Sequence, residues 1–142
     1  YLNNSKTVNL LIHSKDASKL KNISVSHIKD FKTATDSNGR ILFLANNDEI
    51  YLGKSKITVV HTPGHSAGSI CLHYKGNIFT GDTLFTEGMG RTDFADGSIE
   101  QIYHSIRKKI LSFPDNTKIW PGHHYGRHPV STVKEQKEYY LR

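Results

Sequence analysis

Apolar positions recur along this chain in short bursts separated by polar turns. Val8 to Ile12 reads as a short buried strand, and Ser14 can cap a brief helix over Lys15–Leu20, with Asp16 in its first turn. Glu49–Leu52 and Lys56–Val60 read as two strands around Gly53-Lys54-Ser55. Gly68–Tyr74 and Asn77–Thr80 read as a second hairpin around Lys75-Gly76. After the loop Glu87–Arg91 the period changes. Ile99, Ile102, Tyr103, Ile106 and Ile110 recur at three- and four-residue spacing, which predicts one helix from Ser98 to Phe113, stopped by Pro114. Lys118–Trp120 is a short strand ending at Pro121. A last helix starts at Thr132, capped by Ser131 or Thr132, with Glu135 placed for a capping box. The stretch Asn22–Gly39 shows only a turn signal at Asp36–Gly39. Strands first and helices later, with polar loops at strand ends, predict a layered α/β protein forming one domain over residues 1–142.

Composition changes this picture little. The 142 residues are 36% hydrophobic and 23% charged, enough for one self-sufficient core. No apolar run approaches the roughly 20 residues that span a bilayer. The net charge of +6 permits an acidic partner, but the cations are scattered, with Arg107-Lys108-Lys109 the densest run. Scatter favours solvation over a nucleic-acid groove. The single cysteine, Cys71, rules out an intrachain disulfide and suggests a reducing, cytoplasmic setting. It lies in an alternating apolar stretch and reads as a small buried hydrophobe. The chain has no initiator Met, so Tyr1 is expected not to be the native start.

The chemistry sits where strands run out. Val59-Val60 leads into His61–His65, Ile78-Phe79-Thr80 into Gly81-Asp82, and Ile119-Trp120 into Pro121-Gly122-His123. A glycine beside each His or Asp lets the backbone turn sharply at the strand end. Histidine nitrogen and carboxylate oxygen are ligands for zinc or iron. Singly, each is an ordinary loop residue. Three along one sheet edge can converge.

"HTPGHSAGSI", "FTGDTLF", "GMGRTDF" and "PGHHYG" with "STV" resemble the second half of the metallo-β-lactamase fold, in its glyoxalase II-like and persulfide dioxygenase-like branches. The resemblance implies an αββα sandwich lacking its N-terminal part. It implies that His65, Asp82 and His123 are metal ligands, with Asp82 bridging two metals or binding a single iron. It leaves His61 as a structural or loop residue. Arg91 and Tyr125 resemble positions that hold the glutathione part of a substrate. For Arg91 the alternative is a loop-stabilising ion pair with Asp93; for Tyr125 it is packing. Relatives carry an H-x-H-x-D-H loop upstream of the region resembled by Val8–Leu20, and no such motif occurs here. The catalytic water and the remaining Asp and His ligands are therefore expected outside this chain, which alone should bind metal weakly and be inactive.

Three functions follow from the resemblance. One is a zinc hydrolase, two zinc ions per intact site, acting on a thioester such as an acylglutathione. The second is a mononuclear iron dioxygenase acting on a persulfide. The third is a non-catalytic half-domain that binds a partner chain or nucleic acid. The first two take a small thiol-derived substrate. A sandwich missing one part would expose apolar surface, unless a second copy or the missing segment covers it.

Overall fold

The computed structural model describes residues 10–21 and 41–141. The chain divides into two compact units, Tyr1–Leu44 and Ala45–Arg142. In the first, β1 (Leu10–His13) pairs in parallel with β2 (Ile41–Leu44), Leu10 opposite Ile41 and His13 opposite Leu44. The brief helix expected over Lys15–Leu20 is a 3₁₀ helix, Ser14–Lys21, directly after β1. Val8 and the Asp36–Gly39 turn signal lie outside the described residues.

The second unit is built on a six-stranded sheet. In order these are β3 (Glu49–Leu52), β4 (Ser55–His61), β5 (Ile70–Tyr74), β6 (Asn77–Gly81), β7 (Lys118–Pro121) and β8 (Ser131–Thr132). Neighbours are antiparallel except β6 and β7, which run parallel with Ile78 opposite Ile119. A parallel pair needs a crossover, and the crossover here holds loop 82–98 and the helix α1 (Ile99–Ser105). Both predicted hairpins form, and each closes with two residues. Gly53 has φ +59°, while Lys75 and Gly76 have φ +42° and +71°. Left-handed backbone at the first turn residue, or at both, matches the twist of the strands these turns join.

The predicted helix over 98–113 is not one regular helix. After Ser105 it widens into a π turn, Ile106–Ile110, in which Leu111 N–H bonds to Ile106 O at 2.9 Å. Four-residue spacing drifts one way around an α-turn and back around a wider π turn. Ile102, Ile106 and Ile110 thus stay in line and fully buried, while Ile99 and Tyr103, expected on the same stripe, are largely exposed. With Cys71, Ile78, Leu84, Ile119 and Val133 they form the core. Each fully buried aliphatic side chain contributes about 1.5–3 kcal/mol. The second helix, α2 (Val133–Tyr140), is capped by Thr132 with Glu135 completing the box. Two cations of the basic run are tied to the fold: Lys109 Nζ donates to His61 O at 2.6 Å and Arg107 donates to Tyr140 O at 3.2 Å. No helix among the described residues is long and apolar enough to cross a membrane.

Candidate metal centre

β4, β6 and β7 all end on the same edge of the sheet, because β4 and β6 have the same direction and β7 is parallel to β6. Their end loops carry His65, Asp82 and His123, and the fold brings all three together. His65 Nε2 lies 3.6 Å from Asp82 Oδ2, and His123 Nε2 lies 3.3 Å from Asp82 Oδ1.

The His65 loop is held from below. Ser105 Oγ donates to Pro63 O, and Ser98 N–H donates to Gly64 O, both at 2.8 Å. Gly64 has φ +143°, and a Cβ there would lie 2.3 Å from the backbone nitrogen of Ile102. Only glycine lets this loop press so closely on α1. Thr62, fully buried, bonds Thr83 Oγ1 at 2.9 Å, tying the His65 loop to the Asp82 loop. His61, expected to be a structural or loop residue, ends β4, and its Nε2 bonds Ala67 O at 2.9 Å.

His65 is also oriented from the other side. Its Nδ1–H donates to Arg91 O at 2.8 Å, which leaves the Nε2 lone pair facing Asp82. Metal-binding histidines are commonly oriented by such a bond on the second nitrogen. Phe94 meets the His65 ring edge-on, with centroids 5.2 Å apart. Gly90 keeps this corner open, since a Cβ there would lie 2.9 Å from His65 Nδ1 and 2.0 Å from Asp82 O. Sequence reasoning did not single out Gly90 or Phe94. Their part depends on neighbours distant in sequence, and the only local signal was the doubled glycine of Gly88-Met89-Gly90.

Asp82 follows Gly81, whose φ of +51° turns the chain out of β6. Gly122 N–H donates to Gly81 O at 2.9 Å, fixing the end of β7 beside it. The His123 ring stacks on Tyr125, centroids 5.2 Å apart at 21°, and meets Phe85 edge-on at 6.1 Å. Tyr125 thus borders the centre, meets Phe85 edge-on at 5.0 Å and is 73% exposed. The Arg91 side chain is paired with Asp93. Its Nε and Nη2 donate to the two oxygens of Asp93, each at 2.6 Å. This pair holds the Asp93 carboxyl down at about 2, chiefly through the hydrogen bonds from Arg91. Cys71 is the buried hydrophobe expected: burial pushes its thiol up to about 11.

The donor spacings fit a metal better than direct bonds. An N–H···O hydrogen bond spans roughly 2.7–3.2 Å. Two donors each about 2.0–2.2 Å from one ion at a near-tetrahedral angle lie about 3.3–3.6 Å apart. Both His–Asp pairs fall in that range. Among the described residues no group of three or more His, Cys, Asp or Glu is placed to hold a metal ion. This agrees with two pairs that share one carboxylate, each short of the three or four donors a zinc site uses.

The family model for the metallo-beta-lactamase superfamily matches residues 7–123. The chain belongs to the metallo-β-lactamase superfamily. It is 38% identical over 96 residues to the persulfide dioxygenase ETHE1, mitochondrial, of Bos taurus, a match covering 66% of this chain and 38% of that one. It is 30% identical over 113 residues to the "Probable polyketide biosynthesis zinc-dependent hydrolase PksB" of Bacillus subtilis, covering 72% of this chain and 50% of that one. The crystal structure of ETHE1 from Myxococcus xanthus superposes with a TM-score of 0.71 at 26% identity, covering 95% of this chain and 62% of that one. The chain therefore spans 38–50% of the length of these two curated relatives. The α/β class and superfamily fold expected from the motifs are what the structure and these matches show.

Proposed function

We propose that the full-length protein is a metal-dependent hydrolase of a thioester, such as an acylglutathione, with His65, Asp82 and His123 forming part of a two-zinc centre. One observation carries this reading: the two histidines face different oxygens of the same carboxylate, at 3.6 and 3.3 Å. A carboxylate so placed is suited to bridging two ions. Zinc held there would supply Lewis acidity, polarising the thioester carbonyl and making water acidic near pH 7. Asp82 holds both halves in register. The bond from His65 Nδ1–H to Arg91 O fixes the tautomer, and Tyr125 and Phe85 set the plane of His123. Each half needs further donors, so residues 1–142 alone are expected to bind zinc weakly and to turn over no substrate.

The test is zinc and iron analysis of the full-length protein, paired with acylglutathione hydrolysis. Two zinc ions per chain with hydrolysis are expected; one iron without hydrolysis would reject the reading. A second reading, an iron persulfide dioxygenase, is favoured by the 38% identity to a relative of that name. It assigns iron to His65 and Asp82 and leaves His123 without metal. His123→Ala would then keep its full iron content, and oxygen would be consumed with glutathione persulfide.

Arg91 can grip a substrate carboxylate only by releasing Asp93. If it does so, Arg91→Ala raises KM about tenfold with little change in kcat, and Asp93→Ala lowers KM. If the pair only braces the loop, both variants change the kinetics in the same direction.

A further inference from the structure

We infer that Gly122 sets how many metal ions the centre holds, by keeping space for the carboxylate oxygen that faces His123. This rests on the two-metal reading above. Glycines near the centre are present for different reasons. Gly81 has φ +51° and open space where a Cβ would stand, so its need is conformational. Gly122 has no such backbone demand. A Cβ there would instead lie 3.0 Å from Asp82 Oδ1, 3.0 Å from Gly81 C and 3.2 Å from Gly81 Cα.

Two of these three neighbours are backbone, and that backbone is pinned by the 2.9 Å bond from Gly122 N–H to Gly81 O. The atom free to yield is Oδ1, the oxygen 3.3 Å from His123 Nε2. A methyl group at position 122 therefore turns the carboxylate away from His123. The His65 half has a different guard, since the atoms nearest a Cβ on Gly90 are Asp82 O, His65 Nδ1 and Asp82 C. One glycine keeps open each half of the centre, and Gly122 belongs to the half that distinguishes two ions from one.

The test compares the full-length protein with Gly122→Ala. Gly88→Ala is the control, because a Cβ at Gly88 meets nothing within 4 Å. Each protein is stripped with chelator, reloaded with zinc, desalted and analysed for zinc. Cobalt titration followed by visible absorption measures affinity separately. The expected result is two ions per chain in the native protein and in Gly88→Ala. Gly122→Ala should keep its far-UV circular dichroism, retain one ion and bind the second at least tenfold more weakly. Two ions in Gly122→Ala at native affinity would overturn the inference while leaving the two-metal reading intact. Loss of both ions, or of the fold, would also overturn it and make Gly122 a packing residue. A single ion in the native protein would strike down the two-metal reading itself.

Discussion

The two ends of the six-stranded sheet are built on opposite plans. At one end the strands are joined by the shortest connections available. Gly53-Lys54 and Lys75-Gly76 close hairpins in two residues, and the capping box of α2 stands beside them where Thr132 pairs with Lys118. At the other end the same strands run into loops 62–69, 82–98 and 122–130. These carry His65, Asp82 and His123. Long loops are normally the loosest parts of a fold, yet these are fastened by buried hydroxyls and by glycines with no room for a side chain. The difference teaches where a change should be felt. The turn end supports stability alone, whereas the loop end joins stability to chemistry.

The largest effect should come from Asp82. Asp82→Ala in the full-length protein removes the carboxylate that both histidines face. Its turnover is expected to fall to the protein-free rate, while its melting temperature in the metal-free form stays unchanged. Measurable turnover by that variant would break the assignment of chemistry to this edge. Next is Gly64→Ala, which drives a Cβ into the Ile102 backbone at φ +143°. A cost of about 3 kcal/mol is expected, with loss of metal affinity as His65 shifts. Urea unfolding and zinc titration measure the two losses. A loss of stability with unchanged affinity would show that the His65 loop is not coupled to α1. At the turn end, Gly76→Ala meets open space, and only its φ of +71° is penalised. It should cost about 1 kcal/mol by urea unfolding and leave kcat/KM untouched.

Much of the loop end was legible because its signals are local. A strand run followed by glycine and then His or Asp needs no knowledge of distant neighbours, and three such runs specify one edge once the strands align. What was illegible depends on partners far along the chain. Ile41–Leu44 is a strand because Leu10–His13 lies beside it, and two-residue β8 is defined only by Lys118 and Ile119. The π turn is visible only once the core that selects Ile102, Ile106 and Ile110 is known. The space-keeping roles of Gly90 and Gly122 likewise arise from atoms of other segments. Arg91 shows the converse case. Its partner, Asp93, is two residues away, and the ion pair could be foreseen beside the substrate-binding role.

The smallest expected effect tests whether the turn end is silent in chemistry even when its charge is changed. Glu135 accepts hydrogen bonds from Ser131 Oγ and from Thr132 N–H, both at 2.8 Å. The bond from Ser131 is the largest cause holding its carboxyl below the usual value. A lowered folded value means that the unfolded chain binds the proton more tightly. The stabilisation is therefore fully present above the unfolded value of about 4.3, and is lost as pH falls through the folded value beneath it. Glu135→Gln keeps an acceptor for the box but removes the charge at the start of α2. At this exposed position solvent screening keeps the difference small, about 0.5 kcal/mol at pH 7. Urea unfolding at pH 7 and again below the folded value should show that gap closing, because the native side chain is then protonated as well. Activity at pH 7 should be equal in the two proteins, since the hydrogen bonds Glu135 accepts lie at the start of α2. A change in kcat/KM would mean that the two ends are coupled, and the division between a stabilising end and a chemical end would have to be redrawn.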